Sequence, residues 1–279
     1  MYTRRYGLIR TLAPLHVGAS EGEESGNLNL IFRDPFTQTG IIPGSSIRGR
    51  FRADMRQGEG DYEFWYGKSA GEKEISEGLV KFEYASLLWL PVFCPGQPVV
   101  WVSCPRLLRR YAATADPALL ASVPEPYSCS ETLKGRSDQE ERTLFFNLGF
   151  MTVKPFPGLQ QWVPEPLKSE VPADRLVVVS DADIGMIHDM ALYRQSRVKL
   201  SDTMKKVDGG AFFNLEALPE GSVLVFPLAL KPNPTQTWQP FAGSASQDLY
   251  FGGLESVGFG RCHVSLMSCA ASKPAAVVA

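Results

Sequence analysis

The sequence predicts an α+β fold with two similar halves. Segments that alternate like β-strands and segments with the periodicity of amphipathic helices follow one another along the chain. The 279 residues, 44% of them hydrophobic, suffice for one large domain or two small ones with a sizeable core. The chain holds no run of about 18 apolar residues, so nothing in it predicts a membrane span.

Charge and cysteine content restrict the class of protein. The formal net charge is −2, whereas a free-standing nucleic-acid binder is usually basic. If the chain binds RNA, its positive charge must therefore be local, or neighbouring subunits must supply the rest. Five cysteines without a CxxC pair indicate reduced thiols in a cytoplasm, not disulfides or a zinc site. The N-terminus also lacks the apolar run of a signal peptide.

The N-terminal part begins with a strand and reaches a helix through a polar loop. Residues 4–12 alternate loosely as a strand does, and Pro14 breaks the pattern. Residues 19–29 contain three glutamates and, after Ala19, no apolar residue before Leu28, so we expect an exposed, mobile loop. Ser45 and Ser46 precede a helical pattern, and serine is a good N-cap.

This first helix has an apolar face and a cationic face. Each face consists of three residues spaced by four: Ile47, Phe51 and Met55 on the first, and Arg48, Arg52 and Arg56 on the second. A helix N-terminus beside a row of arginines can cradle phosphate. A solvated basic face without a partner is the alternative, and it is the commoner case for an isolated helix.

The middle of the chain predicts a hairpin, a short helix and an insertion. Residues 79–104 contain three strand-like runs, the last two joined by a turn at 94–98. Residues 105–111 are predicted to begin a short helix. Residues 122–174 are rich in proline and charge around an apolar island at 144–150, which indicates an inserted hairpin or irregular excursion and not a separate domain.

A second helix follows a strand at residues 175–179. The sequence Ser180-Asp181-Ala182-Asp183 fits a capping box. The spacing in the helix after it puts four residues on one apolar face: Ile184, Ile187, His188 and Ala191. We therefore expect His188 to be a core residue.

Positive charge is densest at residues 194–206, which include Lys199, Lys205 and Lys206. Gly209 and Gly210 then introduce Phe212 and Phe213, which either stack on bases or are two core aromatics at the start of a strand. Residues 270–279 have the composition of a flexible tail.

A glycine-rich loop lies near the C-terminus and leads into a strand. Gly252, Gly253, Gly258 and Gly260 occur within nine residues, and Arg261 opens an alternating segment. Glycines let a backbone approach a partner closely, and an arginine at the junction suits a phosphate backbone better than a small apolar ligand. A tight β-turn without a ligand explains the pattern equally well.

No motif of a small-molecule enzyme is present in the sequence. It contains no GxSxG elbow, Walker A loop or HExxH pattern, and no metal-ligand spacing. We expect His188 and His263 to be structural because both lie in predicted secondary structure. His16 precedes Gly18 and the polar loop, so it is a candidate general acid or base.

Six segments of the chain form a pattern that extends over nearly its whole length. They are TLAPLHVG at 11–18, IPGSSIRG at 42–49, LLWLPV at 87–92, WVSCPRLL at 101–108, GGAFF at 209–213 with EALP at 216–219, and GGLESVGFG at 252–260. In this order they resemble the RAMP superfamily of CRISPR proteins, most closely the backbone subunit of type III-B (Cmr) effector complexes.

The resemblance implies a ferredoxin-like (RRM-like) core in one domain over residues 1–269, with an insertion at 122–174 and a protruding β-hairpin, the thumb, at 194–219. Copies would stack head to tail along a guide RNA (crRNA), the thumb would kink its duplex with complementary target RNA, and other effector subunits would join them. The RNA-binding residues would be Ser45, Ser46, Arg48, Arg52, Lys199, Lys205, Lys206, Gly252, Gly253, Gly258, Gly260 and Arg261. These contacts are directed at the RNA backbone, so base pairing by the guide would select the target.

The chain departs from the family where RNA-cutting members carry an aspartate, in the loop after the Leu-His-x-Gly segment. That position falls on Leu28, and no aspartate lies between His16 and Asp34. Either this chain has lost cutting and kept scaffolding, or a glutamate of the loop such as Glu23 substitutes, or His16 and Glu216 carry the chemistry. No cofactor is expected, with Mg²⁺ needed only for cleavage.

Three interpretations therefore remain open. The leading one is a guide-binding scaffold subunit of an RNA-targeting effector. The second is an active endoribonuclease, and the third is an unrelated α+β binding protein.

Overall fold

A computed structural model describes residues 2–18, 28–58, 60–68, 76–138, 141–147, 149–200 and 207–270, with the backbone alone at 28, 137–138, 198–200 and 207–213. The helices within these residues are α1 (Gly44–Gln57), α2 (Tyr62–Tyr66), α3 (Pro105–Ala115) and α4 (Ile184–Ala191). The strands are β1 (Thr3–Thr11), β2 (Leu28–Asn29), β3 (Ile41–Ile42), β4 (Val80–Phe82), β5 (Ala85–Phe93), β6 (Val99–Ser103), β7 (Ser128–Cys129), β8 (Arg136–Asp138), β9 (Glu141–Phe146), β10 (Gly149–Pro155), β11 (Leu176–Val178), β12 (Tyr193–Leu200), β13 (Val207–Ala217), β14 (Val223–Leu230), β15 (Ser246–Tyr250) and β16 (Arg261–Ser268).

Most of the described strands join one large sheet. Its order is β15-β16-β1-β14-β5-β6-β11-β7-β10-β9-β8, with β3 also paired to β5 and β4 to β14. β1 is central, since it pairs antiparallel with both β14 and β16. A second sheet has the order β12-β13-β2.

The central strands are buried on both faces. Successive side chains of a strand point to opposite faces. On β14, Phe226 therefore packs against Phe51 of α1, with ring centroids 6.3 Å apart, while Val225 joins the core on the other face. On that second face, Tyr6 of β1 contacts Tyr111 of α3. The large sheet is thus the middle layer between helices.

Several predicted elements are confirmed. β1 covers the predicted first strand, β5 and β6 form the predicted hairpin, and α3 begins at Pro105 as expected. Ile184, Ile187 and His188 of α4 are buried, as the apolar face predicts. The strand predicted at 175–179 is β11.

The start of α1 differs from the prediction. The N-cap is Pro43 and not a serine, and no side chain caps the helix. Gly44 opens α1 because a Cβ at this position would lie 2.6 Å from the carbonyl oxygen of Phe82. Ser45 and Ser46 therefore lie in the first turn.

The predicted capping box at Ser180 is also wrong. α4 begins at Ile184, after an N-cap at Asp183 that makes no side-chain cap hydrogen bond. Ser180 Oγ instead accepts a hydrogen bond from the amide of Ala182 and donates one to Asp183 Oδ2, both at 3.1 Å. The serine thus closes a turn just before the helix.

Two antiparallel units lie away from the central strands of the large sheet. β12 and β13 pair antiparallel at the position of the predicted thumb. β8, β9 and β10 pair antiparallel within the predicted insertion. Among the described residues, no helix is long and apolar enough to cross a bilayer.

Candidate nucleic-acid interface

The base of the β12–β13 hairpin meets the segment that follows β1. The amides of Leu15 and Leu218 each donate to the carbonyl oxygen of the other at 2.9 Å. Phe259 of the glycine-rich loop contacts Tyr193 of β12, with centroids 5.8 Å apart. The hairpin, the glycine-rich loop and the segment containing His16 therefore form one continuous region.

A buried ion pair lies at this base. Glu216 of β13 is 2% exposed and accepts two hydrogen bonds from Arg33 Nη2, at 2.8 and 3.0 Å. The amide of Ile31 donates to the same carboxylate at 3.3 Å. The pair fixes the hairpin to the chain after the polar loop.

Arg33 also links the hairpin to α4. Its Nη1 donates to Asp189 Oδ1 at 2.5 Å, and His188 and Arg33 together lower the pKa of Asp189 to about 2. His188 Nδ1 lies 3.6 Å from Asp189 Oδ1, which is too far for an ordinary hydrogen bond. The guanidinium of Arg33 is therefore the stronger partner of Asp189. His188 is fully buried, burial lowers its pKa, and its Nε2 accepts from the amide of Gly40 at 2.9 Å. The prediction that His188 is a core residue is confirmed.

His16 and Glu216 meet through the main chain of Glu216. His16 Nδ1 lies 2.7 Å from the carbonyl oxygen of Glu216. Because a carbonyl can only accept, Nδ1 carries the proton, and Nε2 of the neutral ring is an acceptor. Nε2 points towards Gly18, at the start of the polar loop. The carboxylate of Glu216 is turned to Arg33, and Glu23 lies outside the described residues.

The glycine-rich loop is exposed but packs tightly at two points. Gly252 has φ 76°, and a Cβ there would lie 2.0 Å from the carbonyl oxygen of His16. Gly260 has φ 86°, and a Cβ there would lie 2.4 Å from the carbonyl oxygen of Phe251. A tight turn thus accounts for both glycines. Gly253 and Gly258 are exposed and face open space, so their surface is accessible to a ligand.

Arg261 at the end of this loop is already paired. Its Nη2 donates to Asp248 Oδ2 at 2.9 Å, and His263 Nδ1 lies 2.8 Å from Asp248 Oδ1. His263 and Arg261 lower the pKa of Asp248. The charge that the sequence assigns to phosphate is therefore largely balanced within the protein.

The arginine row of α1 packs against α2. Arg48 Nε donates to the carbonyl oxygen of Tyr66 at 3.1 Å, and the guanidinium of Arg52 lies 5.1 Å from the ring centre of Tyr62. Ser45 is exposed beside this row. The predicted cationic face exists, but two of its arginines hold the helix pair together.

The lysines of the basic run fall where the structure gives no side chains. Lys205 and Lys206 lie outside the described residues, and Lys199 of β12 has only its backbone described. Phe212 and Phe213 of β13 likewise have only their backbone described. Their assignment to RNA stays a prediction.

A cationic groove, which the sequence did not reveal, lies at the N-terminal end of β1. The β1 groove, as we call it, has a volume of about 690 Å³ between β1, β4, β14 and α3. It is lined in part by Tyr2, Arg4, Arg5, Lys81, Glu83 and Arg110. The doublet Arg4-Arg5 was the visible signal, but only the fold brings Lys81 and Arg110 to it.

Comparisons with known proteins identify the family. The profile of the RAMP superfamily matches residues 8–263. A chain in the cryo-EM structure of type III-B Cmr-beta bound to cognate target RNA is 18% identical with a TM-score of 0.71, over 94% of this chain and 96% of that one. A chain of Cmr-beta in the apo state is 17% identical with a TM-score of 0.73, over 95% and 97%. Oligomeric Cmr4 from Pyrococcus furiosus is 17% identical with a TM-score of 0.64, over 97% and 100%.

No curated protein sequence matches the chain. The similarity to the solved structures concerns the fold, and it confirms the predicted α+β fold class; the large sheet is a finding of the structure. The ferredoxin-like arrangement of the core stays a prediction. Since the profile match spans most of the sequence, the chain belongs to the RAMP superfamily.

Proposed function

We propose that this chain is the backbone subunit of a type III CRISPR effector. Copies assemble head to tail along a guide crRNA and position complementary target RNA, together with other effector subunits. The observation that carries the proposal is the full-length similarity in fold to a chain from a Cmr-beta complex bound to cognate target RNA. Oligomeric Cmr4 supports the assembly of copies.

The geometry of the hairpin base supports this function. The β12–β13 hairpin is anchored by the buried pair of Glu216 with Arg33, so it can act as a firm element against a duplex. The exposed glycine loop lies beside it. Each copy needs only a few backbone contacts, because phosphate contacts from successive copies add along one RNA. An acidic monomer with a net charge of −2 is compatible with that arrangement.

We also place the protein in the cytoplasm. The five cysteines are unpaired, and four of them are buried: Cys94, Cys104, Cys129 and Cys262. Free thiols are typical of a reducing compartment.

The nucleic acid that co-purifies with the chain tests the proposal. We expect raised absorbance at 260 nm and a uniform short RNA with a repeat-derived 5′ end, in particles that hold several copies of the chain. Sequencing of the extracted RNA and negative-stain electron microscopy measure both. A preparation that is monomeric and free of RNA, even when co-expressed with a guide, would contradict the function.

The alternative function, an active endoribonuclease, rests on His16. Its Nδ1 is held by the carbonyl of Glu216, so Nε2 is oriented as a proton acceptor towards the polar loop. Glu216 itself is a poor general base because its carboxylate is buried and bonded to Arg33. Among the described residues no group of three or more acidic, histidine or cysteine side chains could hold a metal ion.

A cleavage assay separates the two functions. Assembled complex, guide and complementary RNA are incubated with Mg²⁺, and the products are sized. We expect no regular fragments, because the family's cutting aspartate is replaced by Leu28. Fragments at fixed spacing that disappear in His16→Ala or Glu23→Gln would establish a nuclease. Glu216→Gln is a less specific variant, because it also weakens the pair with Arg33.

A further inference from the structure

We propose that the β1 groove binds the phosphate backbone of RNA through Arg4 and Arg5, next to the start of α1. This inference rests on the proposed function, since it names where that RNA is held. It adds a surface that the family motifs in this sequence do not include. The basis for it is which cations are already engaged within the protein.

Three of the four arginines that the sequence motifs suggested are engaged internally, and the fourth, Arg56, is exposed at the end of α1. Arg48 donates to the carbonyl of Tyr66, Arg52 lies over the ring of Tyr62, and Arg261 pairs with Asp248. An engaged guanidinium must give up its internal partner before it can bind a phosphate fully. These residues are therefore less suited to initial capture of a polyanion.

Arg4 and Arg5 are differently placed. Within the described part of the chain, neither has an ion pair or a side-chain hydrogen bond, and both line the groove. Lys81 pairs with Glu77, and Arg110 lies 3.5 Å from Glu83. The positive charge left over at the groove thus comes from Arg4 and Arg5, whose side chains leave opposite faces of β1 near its N-terminal end.

The groove suits a nucleotide chain better than an acidic protein segment. Guanidinium groups match phosphate and carboxylate oxygens alike in two-pronged geometry, so the aromatic ring beside them is what favours a nucleotide. Tyr2 at the groove is 42% exposed, and an exposed aromatic ring beside cations is the combination on which single-stranded nucleic acids stack. The volume of about 690 Å³ is also within the range of natural small-ligand sites, so it can admit a nucleotide unit.

The groove adjoins the predicted phosphate cradle of α1 across β4. Lys81 and Phe82 line both the groove and the hollow that holds Gly44, Ser45 and Arg48. Phe82 pairs with Leu228, which in turn pairs with Arg5. An RNA backbone at the N-terminus of α1 would therefore reach Arg5 across one strand.

The test measures binding of a fluorescein-labelled single-stranded RNA of mixed sequence to the full chain, by fluorescence anisotropy at several salt concentrations. Arg4→Ala/Arg5→Ala should weaken binding about tenfold or more, since each arginine supplies a charge-assisted hydrogen bond. The slope of log affinity against log salt should become shallower by about 1.4, or about 0.7 for each phosphate that is no longer neutralised. Arg4→Lys/Arg5→Lys should retain most of the slope with intermediate affinity.

Lys134→Ala/Arg136→Ala is the matched control, because it removes two exposed positive charges at another site. It should leave the slope within about 0.3 of the unaltered chain, given that it leaves every phosphate in the groove neutralised. Thermal melting checks that each variant is folded. If Arg4→Ala/Arg5→Ala does not fold, the intermediate affinity expected of Arg4→Lys/Arg5→Lys provides the test.

Two outcomes would overturn the inference and leave the proposed function intact. One is an unchanged affinity and slope in Arg4→Ala/Arg5→Ala. The other is that Arg4→Ala/Arg5→Ala keeps its affinity for RNA but no longer self-associates in analytical ultracentrifugation, although the unaltered chain does. That result would assign the groove to an acidic surface of a second copy. If the unaltered chain and its assembled complex bind no RNA, the proposed function fails and the inference fails with it.

Discussion

Replacing Arg33 with methionine should lower the free energy of unfolding by about 3–5 kcal/mol, because it leaves a buried carboxylate without its cation. Glu216 is 2% exposed, and its carboxylate accepts hydrogen bonds from Arg33 Nη2 and from the amide of Ile31. After the substitution, the amide would remain as the donor and no positive charge would balance the carboxylate. Urea denaturation followed by tryptophan fluorescence measures the change.

Arg261→Met is the matched control, since it removes an arginine from an exposed pair. Arg261 and Asp248 are about half exposed, so the decrease in stability should stay below about 1 kcal/mol. A second comparison is Arg33→Met/Glu216→Leu, which removes both charges and should recover much of the stability. Equal decreases in Arg33→Met and Arg261→Met would show that the pair of Glu216 does not hold the hairpin.

The sequence predicted the fold well where a local pattern decides the structure. β1, the β5–β6 hairpin and the buried face of α4 follow from alternation and helical spacing, and the structure contains all three. These signals are local because the side-chain period of a strand or a helix is set by its own backbone geometry. The start of α1 was misplaced because a long-range contact decides it: the helix begins at Gly44, which packs against the carbonyl of Phe82.

The candidate site was predicted less well, because charge balance depends on distant residues. His16 and Glu216 were selected from the sequence, and they do lie together. Their relation was not predictable, since Arg33 and Asp189 approach Glu216 only in the folded chain. In the same way, nothing local shows that Asp248 balances Arg261 or that Lys81 and Arg110 come to lie beside Arg4.

The glycine-rich loop leads to the other prediction with a large expected effect. Gly252→Ala should lower the free energy of unfolding by about 2–5 kcal/mol, of which about 1–2 come from the left-handed backbone and the rest from the steric clash. The φ of 76° disfavours any residue with a Cβ, and that Cβ would lie 2.0 Å from the carbonyl oxygen of His16. The segment around His16 must therefore shift, and the hydrogen bond from the amide of Gly253 to this carbonyl is weakened. Thermal and urea unfolding measure the decrease.

Two neighbouring glycines separate the two explanations of this loop. Gly258→Ala should cost about 1–2 kcal/mol, because its φ is 93° but the space around it is open. Gly253→Ala, with neither a positive φ nor a neighbour within 4 Å, should stay within about 0.5 kcal/mol. If the loop also contacts RNA, a side chain at Gly253 weakens RNA binding while stability is retained. A Gly253→Ala chain that binds RNA like the unaltered chain would reduce the loop to a tight turn, and equal decreases in stability at all three glycines would contradict the packing at His16.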